Sequence, residues 1–184
     1  MREFIIYSRT AKTSPKFQNL KDGGRLDVVY QCILMALFRS HSIRRDVVFH
    51  AILNGPPRPP LELIINGAKL RDARTDENTW ENIIKNVLMG KEHPGIYTKK
   101  NSLQQLIKDE KNIFVLEESG EDIRTIELED NPIFVIGDHI GLPKKEEKFV
   151  LRYGKKVSLG GTKYLAASCV CIINYVLDLR EKKE

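Results

Sequence analysis

Short β-branched runs alternate along this chain with helical periods, which predicts an α/β fold with a mainly parallel sheet flanked by helices. Three observations carry that expectation. Ile113-Phe114-Val115-Leu116, Ile133-Phe134-Val135-Ile136 and Val157-Ser158-Leu159 are short apolar runs bounded by turns, the pattern of strands buried on both faces. Trp80, Ile83, Ile84, Val87 and Leu88 fall at i, i+3, i+4, i+7 and i+8, one face of a 3.6-residue period. The length of 184 residues, with 41% hydrophobic and 30% charged residues, suits a single domain over 1–184 with its own core.

The elements follow in order. Phe4-Ile5-Ile6-Tyr7 reads as a first strand, and Ser8 to Gly24 as a polar loop. Asp27 to Phe38 is too long for a typical strand, and Leu34, Met35, Ala36 and Leu37 favour a buried helix. Val47 to Leu53 is a strand, stopped at Asn54-Gly55-Pro56-Pro57 because proline cannot donate to a ladder. Leu61 to Ile65 is another, ended by the turn signal Asn66-Gly67. The periodic helix over Thr79 to Met89 has Gly90 where a C′ glycine belongs. Lys91 to Tyr97 reads as a loop, and Asn101 or Ser102 can cap a short helix through Lys108. A charged helix is expected at about Lys144 to Tyr153. A last one runs from about Lys163 to Arg180, with apolar Leu165, Cys169, Ile172, Ile173, Val176 and Leu177.

The net charge is +5, and its location says more than its size. Residues 1–50 carry nine Lys/Arg against four Asp/Glu, whereas residues 51–184 carry twenty-one of each. A basic excess confined to one part of a chain suits a polyanion-facing surface, so RNA is a candidate partner. No apolar stretch approaches the roughly twenty residues of a membrane span, and the N-terminus does not read as a signal peptide. Cys32, Cys169 and Cys171 are odd in number and form no CxxC, which argues against a disulfide framework and for a reducing cytoplasm. His41, His50, His93 and His139 lack metal-ligand spacing, so no metal is expected.

Ligands of parallel α/β sheets bind beyond the carboxyl ends of the strands. Three loops therefore matter. Glu117-Glu118-Ser119-Gly120-Glu121-Asp122 follows Leu116 and is acidic, which disfavours phosphate and favours a neutral or cationic cofactor. Gly137-Asp138-His139-Ile140-Gly141 follows Ile136 and does not match GxGxxG, which disfavours a dinucleotide site. Gly160-Gly161-Thr162-Lys163 follows Leu159 and opens the last helix, where free N–H groups suit polar cofactor atoms.

Five segments, in collinear order over nearly the whole chain, carry a resemblance. They are Met1-Arg2-Glu3-Phe4-Ile5, Gly24-Arg25-Leu26-Asp27, Ile43-Arg44-Arg45-Asp46-Val47-Val48-Phe49, Pro94-Gly95-Ile96-Tyr97 and Ile136-Gly137-Asp138-His139-Ile140-Gly141. With them the chain resembles the archaeal tRNA pseudouridine-54 N1-methyltransferases of the SPOUT class. The resemblance implies an α/β trefoil knot at the C-terminus, a cofactor S-adenosyl-L-methionine held by three loops, and a homodimer with tRNA bound across both subunits. Carried over by match, Leu116, Gly137, Leu159, Gly160, Gly161, Thr162, Lys163, Tyr164 and Cys169 would contact the cofactor. The RNA-facing part would be 1–50 and the cofactor-binding knot 111–184. The family's third loop usually has a Ser-Pro-Leu type sequence where this chain has Gly160-Gly161-Thr162, a change that backbone contacts survive.

Methyl transfer from a sulfonium is an in-line displacement governed by positioning. The N1–H of pseudouridine is weakly acidic, so a carboxylate could accept its proton, with Asp27, Asp46 and Asp138 as candidates. Arginine could stabilise the developing anion or hold phosphate, with Arg25, Arg44 and Arg45 as candidates. The expectation is that Arg25, Asp27, Arg44, Arg45 and Asp46 line the RNA-facing mouth, while Asp138 shapes the cofactor loop. Plainer readings make Asp27 a helix cap and Arg45–Asp46 a surface pair. Cys169 and Cys171 sit in an apolar helix and read as buried side chains, not nucleophiles. Two alternatives stay open: a ribosomal RNA pseudouridine N1-methyltransferase, or a non-catalytic RNA-binding or ribosome-assembly protein.

Overall fold

The structure is a computed structural model and describes residues 1–181. The last three residues of the 1–184 span lie outside the described part. Among the described residues nine strands and five helices follow in the order β1 (Arg2–Ser8), α1 (Leu26–Leu37), β2 (Phe38–Arg39), β3 (Ser42–Ile43), β4 (Val47–Leu53), β5 (Leu61–Asn66), α2 (Glu77–Leu88), β6 (Ile96–Lys99), α3 (Leu103–Ile107), β7 (Ile113–Asp122), β8 (Ile133–Gly137), α4 (Lys144–Val150), β9 (Gly154–Ser158) and α5 (Ala166–Glu181).

Seven strands form one sheet in the order β6-β5-β4-β1-β8-β7-β9. The pairs β4–β1, β1–β8, β8–β7 and β7–β9 are parallel, and the β5–β4 and β6–β5 pairs are antiparallel. The mainly parallel sheet flanked by helices is therefore present. β1 occupies its middle because Phe4, Ile5 and Ile6 are apolar on both faces. Phe4 and Ile6 join a core with Leu26, Val29 and Ile33 of α1, Trp80, Ile83 and Ile84 of α2, and Val170 and Ile173 of α5. Ile5 points the other way, to Leu103 and Ile107 of α3 and Val150 of α4. Period-2 alternation along one strand thus divides the helices between the two faces.

Local signals explain the helix ends. Asp76 caps α2 by accepting the Thr79 N–H at 2.8 Å, and Ser102 and Gln105 form a capping box on α3. Trp80 is fully buried, and its Nε1–H donates to the Arg74 carbonyl at 2.7 Å, so its one polar atom is satisfied.

The loop expected at Lys91 to Tyr97 ends differently: Ile96–Lys99 is the antiparallel edge strand β6. Of its four residues only Ile96 is buried, so no alternating pattern marked it. Gly95 before it has φ +80°, and a Cβ there would meet the Leu70 backbone nitrogen at 2.4 Å. β7 also runs past Leu116: its pairing with β9 breaks between Leu116 and Glu121, then resumes at Glu121 and Asp122. The acidic loop is therefore a bulge inside a strand.

Candidate active site

β7, β8 and β9 all run the same way, so their carboxyl ends fall at one edge of the sheet. There they enclose a cavity of about 450 Å³. Its walls are Leu116, Glu117 and Glu118 from the bulge, Ile136 to Leu142 around the end of β8, Leu159, Gly160, Thr162, Lys163 and Tyr164 after β9, and Ala166 and Cys169 from the start of α5. Of the nine residues expected to contact a cofactor, eight line this one cavity. Gly161 does not; it faces outward beside them.

Each wall is fixed by local chemistry. Ser158 Oγ accepts the Gly160 N–H at 3.0 Å and also lies 3.1 Å from the Gly160 carbonyl, to which it donates. That turn places Gly160 at φ +103°, and a Cβ there would point into open space. Asp138 holds the second wall. Its Oδ2 accepts the Arg9 N–H at 2.7 Å, and its Oδ1 accepts the Ile140 N–H at 2.9 Å. Its own N–H donates to the Tyr7 carbonyl at 3.2 Å. With both oxygens engaged by backbone, the buried Asp138 joins the end of β1 to the loop after β8. Lys163 Nζ lies 3.3 Å from Glu118 Oε1, an exposed ion pair between the first and third walls. Cys169 lies beneath. Burial pushes its thiol up to about 11, so it stays protonated at neutral pH. Burial raises Cys32 further still, and Cys171 is exposed, against the expectation that it is buried.

Arg25 and Asp27 stand at the same sheet edge, where the loop after β1 enters α1. Arg25 has φ +67°, an uncommon conformation for a side-chain-bearing residue. Its Nε and Nη2 donate to Asp27 Oδ1 at 2.9 Å and Oδ2 at 3.0 Å, a bidentate pair. The Asp27 hydrogen bond, and more weakly the Asp138 charge, raise Arg25 above its ordinary value. Asp27 does not cap α1; no side chain does. The pair stands outside the cavity wall.

The other expected members are elsewhere, which corrects the picture of a shared mouth. Arg44, Arg45 and Asp46 precede β4, and Arg2 at the start of β1 pairs with Val47, so all three stand at the amino edge of the sheet. Seven strand residues at about 3.3 Å each separate them from the cavity edge by roughly 20 Å. Arg44 is buried and bidentate to Asp178 at 2.7 and 2.6 Å. Arg45 donates to the carbonyls of Gly67 and Leu70. Asp46 lies 3.1 Å from Arg2, so the suggested Arg45–Asp46 pair does not form. Sequence reasoning passed over Leu142 and Ala166, apolar residues whose only signal was their place beside the loops.

A family model described as "Putative SAM-dependent RNA methyltransferase" matches residues 1–182. The chain belongs to this family. The tRNA (pseudouridine(54)-N(1))-methyltransferase of Methanocella arvoryzae is 39% identical over 98% of this chain and 100% of its own length. The enzyme of the same name from Methanocaldococcus jannaschii is 38% identical over 97% of each chain. Among solved structures, Archaeoglobus fulgidus Nep1 bound to S-adenosylhomocysteine has a TM-score of 0.71 at 14% identity, covering 96% of this chain and 99% of that one. At that identity the likeness concerns the fold, and it agrees with the parallel, helix-flanked sheet of this family member.

No cluster of His, Cys, Asp or Glu among the described residues could hold a metal, and no described helix is long and apolar enough to cross a membrane.

Proposed function

We propose that this chain methylates N1 of pseudouridine at position 54 of tRNA, using S-adenosyl-L-methionine. The observation that carries the reading is the three-walled cavity, in a chain 34–39% identical over nearly its whole length to enzymes so named. The walls suit that cofactor. Leu116, Ile136, Leu142 and Leu159 offer an apolar surface for an adenine ring, and Glu117 and Glu118 put negative charge near a sulfonium or ammonium. The open space at Gly160 leaves room that a side chain would fill. When bound, the cofactor supplies an electrophilic methyl group.

The protein's part is positioning and charge. Asp138 fixes the second wall, and Cys169 packs below it as a neutral thiol. Arg25, held by Asp27 at the same sheet edge, is the candidate to stabilise negative charge as N1 loses its proton, and Asp27 is the candidate carboxylate to receive or orient that proton. Arg44, Arg45 and Asp46 take no part in this chemistry. Of the division into an RNA-facing 1–50 and a cofactor-binding 111–184, this reading keeps the cofactor half and, from the RNA-facing half, the stretch around Arg25 and Asp27.

The same reading makes the enzyme a cytoplasmic homodimer. Exposed Met35 on α1 and Tyr175 and Leu179 on α5 form an apolar face suited to a second copy. The C-terminal knot belongs to it too, supported by α5 packing on α1 while its start lines the cavity. The test is mass spectrometry of nucleosides after incubation with cofactor and tRNA bearing pseudouridine 54. N1-methylpseudouridine in tRNA is expected. Its appearance only in ribosomal RNA, or in neither, would overturn the assignment.

A further inference from the structure

α4 is amphipathic in charge. Glu146 and Glu147 are buried: Glu146 accepts from Gln104 of the segment forming α3, and Glu147 lies 2.9 Å from Lys156 on β9. With both carboxylates turned inward, the outward side is left with cations. Lys144, Lys145, Lys148, Phe149 and Arg152 line a groove with Gln104, and no acidic residue shares it. Lys144 also reaches toward Glu147 at 3.5 Å. Lys145, Lys148 and Arg152 are exposed and pair with no carboxylate among the described residues. The Arg152 guanidinium sits 5.6 Å from the centre of the Phe149 ring, which holds its plane at the groove wall.

Position makes this more than a solvated helix face. Leu142 is the last residue of the cavity's second wall, and Lys144 begins the groove two residues later. The groove therefore continues from the reaction edge along the face opposite α1 and α5. A whole-chain charge count missed it, because α4 carries Glu146 and Glu147 among its lysines and looks balanced in sequence.

We propose that the α4 groove binds the phosphate backbone of the RNA substrate beside the cofactor cavity, with Lys145, Lys148 and Arg152 as phosphate contacts. The inference rests on the RNA-methyltransferase reading. RNA is favoured over an anionic membrane because the cations line a concave groove adjoining the reaction edge, and the lone aromatic there is half-buried, not an inserting wedge.

The test is a K145A/K148A/R152A triple variant of the full chain, beside R39A/K69A/K91A, which removes three exposed cations elsewhere. Affinity for tRNA bearing pseudouridine 54 is measured against salt, cofactor affinity by calorimetry, and folding by thermal midpoint. The groove variant is expected to bind cofactor and fold like the parent, to bind tRNA at least tenfold more weakly, and to lose about 2–3 from the log–log salt slope. The other triple variant is expected to lose less than threefold. Equal losses in both variants, or parental tRNA affinity in the groove variant, would overturn the inference while leaving the methyltransferase reading intact. Loss of binding to phosphatidylserine vesicles with tRNA affinity unchanged would also overturn it. A parent that makes no N1-methylpseudouridine, while the groove variant still loses tRNA affinity, would sink the methyltransferase reading and keep the groove as an RNA site. A parent that binds no tRNA would sink both.

Discussion

Asp138 Oδ2 accepts the backbone N–H of Arg9 at 2.7 Å, and this contact fastens the end of β1 to the loop that follows β8. Its other oxygen accepts the Ile140 N–H. In Asp138→Asn one oxygen becomes an N–H donor facing a backbone donor, a mismatch costing about 1–3 kcal/mol. The second wall should loosen, so cofactor Kd is expected to rise about tenfold or more, with the rate at saturation little changed. Calorimetry and single-turnover kinetics separate the two. An unchanged Kd with a large loss of rate would make Asp138 a base instead.

Arg25 and Asp27 should behave as a unit. Removing a donor that meets developing negative charge typically costs 10²–10³ in rate. Arg25→Ala is expected to lose activity on that scale while keeping cofactor affinity. Asp27→Asn should lose less if orientation is its role. Coupling in the double variant, measured as a cycle of rates, checks whether the two act through one another.

Cys169→Ala should keep most of its turnover. Burial holds the thiol near 11, which leaves almost no thiolate at neutral pH. Lost packing under the cavity should weaken cofactor binding severalfold, read by calorimetry. Abolished turnover with intact cofactor binding would restore the nucleophile reading.

Arg44→Ala should fail as a folding variant, not as an RNA-binding one. Its guanidinium is buried against Asp178, which also lies 3.0 Å from Arg2. Removing one partner leaves Asp178 with less compensation, a loss of about 1–3 kcal/mol. The thermal midpoint is expected to fall by several degrees. The tRNA affinity of the folded protein should stay at the parental value.

His50 is flanked by Glu62 at 2.7 Å and Glu3 at 3.2 Å. Burial alone would push the imidazole down, but the hydrogen bonds it donates to both carboxylates outweigh this and raise the group to about 9. Below about 6.5 both folded and unfolded chains carry the proton, and the contribution is complete. Between 6.5 and 9 the folded chain holds a proton that the unfolded one releases, so stability declines as pH rises and is lost past 9. Thermal melts from pH 6 to 10 should show this slope, and His50→Gln should flatten it.

The cavity edge was legible in sequence because strand order did not matter to it. Any parallel arrangement of the runs ending at Leu116, Ile136 and Leu159 brings those ends together. The placement of Arg44, Arg45 and Asp46 was not legible. Adjacency to basic neighbours in sequence says nothing about which end of a strand they occupy, and they precede β4 where the cavity needs residues that follow a strand. Buried pairing hid them too, since Asp178 lies 134 residues from Arg44. β6 escaped notice because an edge strand buries one residue in four.

Arg2 also donates to Asn174, 172 positions later, and to Glu181 at the end of α5. The start of β1 is thus completed by residues of α5. α5 can dock only after β1 through β9 have been made, and Ala166 and Cys169 reach the cavity with it. A growing chain can assemble β1 and α1 early, yet it cannot close the cavity wall before α5 is made. The cavity is therefore completed only when α5 arrives, and a chain truncated before Ala166 should lack its closed wall.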